Sequence, residues 1–307
     1  TDGSVHFIAD TIELAVLLAF SKISLFEALR QDDINRDAYL AEELSAYFPQ
    51  PIGAQFSRAL TDHPLRPEII ATFIANSMVN RMGITFAHRL HEHTGAAMPD
   101  IARAYTVARR VFELPRHWAA IAALDNRVGW EQQADLLGQL RRLADRMTLW
   151  FLHNREQPLD ITEAVEHFSP GIHEFRQALP ELLTEAMRER TMERTRRYRD
   201  AGITEDLART VAAVPFAFPG LDIVDISRSL GVAVTKTGRV YFQMSELLEF
   251  PWLYDRAGEL SCSDRWARLA RSAVRNELDR LQRTVVQEAL QLTPEFNHPG
   301  EVIERWS

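Results

Sequence analysis

Cysteine is almost absent: Cys262 is the single thiol in 307 residues. That excludes an internal disulfide framework and fits a reducing cytoplasm, the compartment expected here. Lysine is nearly missing too. Lys22 and Lys236 are the only two, and every other basic chain is arginine. Genome composition is the plain explanation, but the bias has a chemical consequence. A Schiff base, or a lysine of lowered pKa, has only two candidates. Long apolar runs are lacking. The longest, LAVLLAF at 14–20, falls far short of the ~20 residues of a membrane helix, so no membrane partner is expected. The opening TDGSVHFIAD has no basic stretch followed by an apolar core, as a signal peptide would. Positive charge is in deficit, with a net −8, which argues against a nucleic-acid partner. No GxGxxG, Walker, HExxH, GxSxG or CxxC pattern occurs.

What is present is helical. A hydrophobic fraction of 46% suits a folded chain, and the length suggests roughly two domains. ADLLGQLRRLADRMTLWFL sets Leu136, Leu140, Leu143, Met147 and Trp150 on one stripe, with Arg141, Arg142 and Asp145 off it. RWARLARSAVRNELDRLQRTVVQEAL does the same with Trp266, Leu269, Ala273, Leu278, Leu281 and Val285. Stops carry Gly or Pro, as in HTGAAMP, FELPR, REQPLD, DAGIT and HPG. Helix starts are expected after Thr61 or Asp62 and after Thr204.

The chain also says one thing twice. A constant interval separates Gly95 from Gly231, Arg103 from Arg239, Tyr105 from Tyr241, Glu113 from Glu249, Pro115 from Pro251 and Trp130 from Trp266. RPEIIATFIA (66–75) resembles TEDLARTVAA (204–213), and YFPQPI resembles ALPELL, at nearby offsets. VAVTKTGRVYF (232–242) alternates like a β-hairpin. Its counterpart AAMPDIARAYT has Pro99 at a helix start and helical spacing through Ile101, Ala104, Tyr105 and Ala108. Two copies of one unit share a fold, so 235–249 is expected to be helix. The predicted fold class is all-α: an N-terminal helical segment (1–44), a first helical unit (45–154), then a second unit with a C-terminal tail (155–307). The glycines fit helix C-caps and the tyrosines lie on apolar faces, so the repetition reads as scaffold.

Four places offer chemistry, each with a plainer reading. His88 and His91, with Glu92, could ligate a metal, but a zinc helix uses i and i+4 and this pair is i and i+3. The plainer reading is an exposed helix end carrying His88, His91 and His93. RERTMERTRRYR (188–199) could be a phosphate stripe, but Glu189 and Glu193 interrupt it, and Glu193 can pair with Arg197. Asp125 and Arg127 suit a helix end. Cys262 has Asp264 nearby and no flanking histidine, so nothing marks an activated thiolate. No catalytic, cofactor-binding or metal-ligating residue is assigned.

TIELAVLLAFSKISLFEALRQDD and LRPEIIATFIANSMVNRMGITFAHRLHEHTGA, with DIARAYTVARRVFELPRHWAAIAALDNRV, ALPELLTEAMRER, LDIVDISRSLG, RVYFQMSELL and LARSAVRNELDRLQR, give the chain a family. It resembles the C-terminal region of the large bacterial class of NAD-dependent glutamate dehydrogenases, from about residue 11 onward. The resemblance implies a parent enzyme that deaminates L-glutamate oxidatively to 2-oxoglutarate and ammonia. Its NAD and catalytic residues belong to a domain upstream of this chain. None of those motifs maps here; Lys22, in LLAFSK, lies on a helix rather than in a glycine-rich lysine site. The implied role is to buttress the upstream dehydrogenase domain and to organise a homo-oligomer, the chain itself binding no cofactor and being inactive alone. The alternatives are a freestanding helical protein-binding module, using the groove between its repeats, and an enzyme in its own right, which would need a polar cleft with a perturbed acid–base group.

Overall fold

The computed structural model describes residues 2–40, 44, 48, 55, 56, 59, 60, 62–293 and 299–306. Among them there is no strand. The helices are α1 (Asp2–Arg30), α2 (Arg66–Met82), α3 (Phe86–Thr94), α4 (Met98–Val111), α5 (Leu114–Ala122), α6 (Trp130–Asn154), α7 (Ile161–Leu182), α8 (Glu185–Asp200), α9 (Glu205–Ala212), α10 (Val214–Ala217), α11 (Gly220–Leu230), α12 (Val234–Leu247), α13 (Phe250–Glu259), α14 (Arg265–Leu292) and α15 (Pro299–Trp306). A single 3-10 turn, Asp33–Arg36, follows α1.

The chain forms two compact units. The first holds residues 1–113 and 144–165, the second 114–143 and 166–307. In the first, the later half of α1 packs on α2 and α4. Leu25, Leu29, Ile70, Ile74, Met78, Phe86, Ile101 and Tyr105 close its core. In the second, Phe175, Leu179 and Leu182 of α7 meet Ile223 and Ile226 of α11, Val240, Tyr241, Phe242 and Met244 of α12, and Val286, Ala289 and Leu290 of α14.

From Val234 the β-branched run lies in helix; α12 ends at Leu247, so Leu248 and Glu249 of the expected 235–249 helix form a turn instead. The reason is burial. Val234, Thr237, Val240, Tyr241, Met244 and Ser245 recur at three and four residues, and all are buried, which a helix achieves and alternation cannot. Gly238 lets α12 approach α7: a Cβ there would lie 2.7 Å from Leu182 Cδ1.

The bounds of α4 and α12 coincide residue for residue after the interval read from the sequence, and so do the first residues of α5 and α13. Gly95 and Gly231 are left-handed C-caps, at φ 73° and 66°, where a side chain would be strained. Glu113 and Glu249 also turn left-handed, at φ 52° and 55°. Each is followed by a helix with proline in its first turn (Pro115, Pro251), where the missing N–H costs nothing. Other parts differ. RPEIIATFIA lies in the unbroken α2, whereas TEDLARTVAA gives only the short α9, because Pro215 and Pro219 break the helix beyond it. The segment YFPQPI lies almost wholly outside the described residues.

Three further expectations change. The helix expected after Thr61 or Asp62 begins at Arg66, with Pro67 in its first turn; Thr61 is outside the described residues. Thr204 does stand at the N-cap of α9, but its side chain makes no capping bond. The α6 stripe Leu136–Trp150 is buried throughout. The α14 stripe is not: Trp266 is 74% exposed and Leu281 40%, while Gln282, Val286, Ala289 and Leu290 carry the burial. An amphipathic pattern marks a face but does not supply a neighbour to cover it.

Candidate functional site

The histidines cluster at the end of α3. His91 places Nδ1 2.8 Å from the Ala96 carbonyl, closing the turn past Gly95. His88 is exposed and His93 half-buried. Burial holds the His93 pKa below the ordinary histidine value, and the Arg89 guanidinium adds to this; Asp145, paired with Arg89, opposes it. His153 near the end of α6 is lowered as well, by burial first and by His93 second. The negative helix terminus would raise these values, so desolvation and neighbouring positive charge win. No group of three His, Cys, Asp or Glu among the described residues could hold a metal ion.

The histidine shifts carry a pH prediction. A folded-state pKa below the unfolded one means that the unfolded chain binds more protons as pH falls through the histidine range. Stability from His93 and His153 is therefore complete above the ordinary value of 6.5 and declines below it. Thermal melts of His93→Gln should show a shallower loss between about pH 6.5 and 5 than the parent. An unchanged slope would show that protonation of the His93 ring costs the fold nothing.

The other places with candidate chemistry sit as follows in the fold. Helix α8 buries Met187 and Tyr198. The Tyr198 hydroxyl donates to Asp135 at 2.8 Å, and burial followed by that carboxylate raises its pKa. Arg197, expected beside Glu193, lies 3.9 Å from Asp135 instead, so α8 is anchored to α6. Asp264 is occupied in capping α14, accepting from the Ala267 N–H at 2.8 Å, which leaves the neighbouring Cys262 without a base. Asp125 and Arg127 are exposed on a turn.

Two ion-pair knots escaped the sequence reading. Arg103, buried on α4, donates to Asp32 at 2.6 Å, to Asp33, and to Asp100 at 3.4 Å. Burial pushes the Asp32 pKa up, but the Ile34 N–H and the Arg103 guanidinium outweigh it and hold the carboxyl low. In the second unit Arg283 of α14 pairs with Asp225 and lies 3.6 Å from Asp222, whose side chain is 3% exposed. Tyr241 also donates to Asp222, at 3.4 Å. Only the recurrence of Arg103 and Tyr241 hinted at these knots, and the partners lie too far along the chain to be paired by eye.

A cavity of about 430 Å³ in the second unit is lined by Glu181, Thr184, Glu185, Arg188, Arg239, Gln243 and Glu246. It is polar, but the groups whose pKa is clearly displaced (Asp32, His93, His153, Tyr198, Glu277, Arg280) are not on its wall. Nor do the described residues contain a strand, glycine turn and helix in sequence, the unit that cradles a pyrophosphate.

The family model described as "Glutamate dehydrogenase, C-terminal" matches residues 11–307. The chain belongs to that family. Members of known name include the NAD-specific glutamate dehydrogenase of Pseudomonas aeruginosa, 38% identical over 280 residues and 91% of this chain. That of Halomonas elongata is 31% identical over 96% of the chain, and that of Mycobacterium tuberculosis 28% over 95%. The aligned part is only 17% or 18% of each relative's own length. This glutamate dehydrogenase C-terminal chain thus spans about a sixth of the curated relatives it matches. No single helix among its described residues is long and apolar enough to cross a membrane. The bent pair α9 with α10–α11 passes such a test by composition, but Leu207, Val211, Leu221, Ile223 and Val224 on it are buried within the second unit.

Proposed function

We propose that this chain is the C-terminal part of a cytoplasmic NAD-specific glutamate dehydrogenase. There it buttresses a catalytic domain that precedes it and helps to organise a homo-oligomer. The parent reaction takes L-glutamate, NAD and water to 2-oxoglutarate, ammonia and NADH. One observation carries the reading: a match over nearly the whole chain to a sixth of three enzymes of that name. The scaffold character of the residues repeated at a constant interval supports it. Glycine caps, buried tyrosines and helix-opening prolines hold helices in place, and we read the two stretches that carry them as copies of one helical motif.

The test compares two preparations. The long polypeptide should reduce NAD when glutamate is added. The 307-residue chain alone should give no turnover above the buffer blank. Turnover by the short chain that a point mutation within it abolishes would overturn the proposal, as would a long polypeptide that cannot use glutamate.

A further inference from the structure

Helix α1 breaks the burial pattern. Its later half is ordinary: Ser21, Leu25 and Leu29 face the first unit, and Ser21 Oγ donates to the Ile84 carbonyl at 2.9 Å. From Ile12 to Phe20 every residue is exposed, and the side chains are Ile, Glu, Leu, Ala, Val, Leu, Leu, Ala and Phe. Leu14, Leu17 and Leu18 continue the packed stripe past the point where it is covered. Ile12, Val16, Phe20 and Ile23 recur at i, i+4, i+8 and i+11 on the opposite side, with Val16, Phe20 and Ile23 at 62%, 66% and 61% exposure. The one charge from Ile12 to Phe20 is Glu13, with Lys22 following, so the stretch has no continuous polar face to give to water. A helix that is apolar all round is one that becomes enclosed.

We propose that the Ile12–Ile23 stretch of α1 docks into an apolar groove on the preceding part of the same polypeptide. This deepens the functional reading above and rests on it. The matched family is the C-terminal part of proteins about six times as long, and in such a protein the preceding chain enters through the start of α1. That is about ten residues, or roughly 15 Å of helix, from Ile12. A partner tethered so closely stands at an effective concentration in the millimolar range. The other occupants fit less well. The apolar stretch is under the ~20 residues that a bilayer requires, and α1 does not qualify as a span. A two-fold contact with a second copy buries one stripe of each helix and leaves the opposite one wet.

The test places a photo-crosslinking p-benzoylphenylalanine at Val16, and separately at Phe20, in the full-length subunit. Both sites are exposed within this chain, so the probe leaves its packing intact. The expected product keeps the mass of one subunit, and its crosslinked peptide comes from residues preceding this region. The amide hydrogens of 12–20 should also exchange slowly in the full-length enzyme. A product of doubled mass joining two copies of α1 would overturn the proposal in favour of self-association. Labelling of added phosphatidylglycerol vesicles would overturn it in favour of a lipid surface, and fast exchange with no crosslink would leave α1 undocked. Glutamate-dependent NAD reduction is read on the same preparation. Its absence would sink the functional reading without altering the crosslinks, so the two failures are distinguishable.

Discussion

Tyr241→Ala should destabilise the 307-residue chain by about 3 to 5 kcal/mol, and Tyr105→Ala by a similar amount. Both rings are almost completely buried, at 2% and 1% exposure. Tyr105 lies edge-on to Phe86 at 5.9 Å, and Tyr241 meets Phe242 at the same distance. Truncation removes these contacts and leaves cavities in close-packed units. The hydroxyls are also engaged, with Ser77 at 2.9 Å and with Asp222. Tyr→Phe at either site should therefore cost about 1 kcal/mol, one hydrogen bond's net worth. Urea melts measure both changes, and a loss of about 3 kcal/mol is a large part of the ~5–15 kcal/mol a domain has. In the full-length enzyme the Phe variants should keep near-normal turnover. If either abolished activity with an unchanged melt, the hydroxyl would be a functional group and the scaffold reading of that position would fall.

Arg283→Met should cost as much, about 3 to 5 kcal/mol near neutral pH, since it leaves a buried carboxylate without its cation. Asp222 has a side chain only 3% exposed, and Asp225 one 14% exposed. Urea melts at pH 7 read the loss, where the parent holds both carboxylates against Arg283. The double variant Arg283→Met/Asp222→Asn should recover part of the loss at pH 7. A single variant with the parent's stability would mean that the knot holds nothing.

Much of the fold was legible because helices are local objects. The spacing of Leu136, Leu140, Leu143, Met147 and Trp150 gave α6 and the face it buries. Gly95 and Gly231 marked the ends of α3 and α11, since a left-handed cap asks for glycine. The candidate sites were legible mainly as absences of motif. The His88/His91 spacing already disfavoured a metal, whereas the lowered pKa of His93 comes first from its burial, which no local pattern shows, and then from Arg89 one turn before it.

The sequence by itself determined the helical class and the places where helices stop, both set by side-chain periodicity and by residues that restrict the backbone within a turn or two, while the family came from the resemblance of whole segments. Only the tertiary structure decided which apolar faces find a cover. Leu25 and Leu29 are enclosed, whereas Val16 and Phe20 on the same helix are bare. It also decided that Arg103 is buried among carboxylates while its counterpart Arg239 is exposed and lines a cavity, and that Arg283 meets Asp222. Burial and ion pairing depend on which helices come to lie side by side, and that is fixed by packing between segments far apart along the chain.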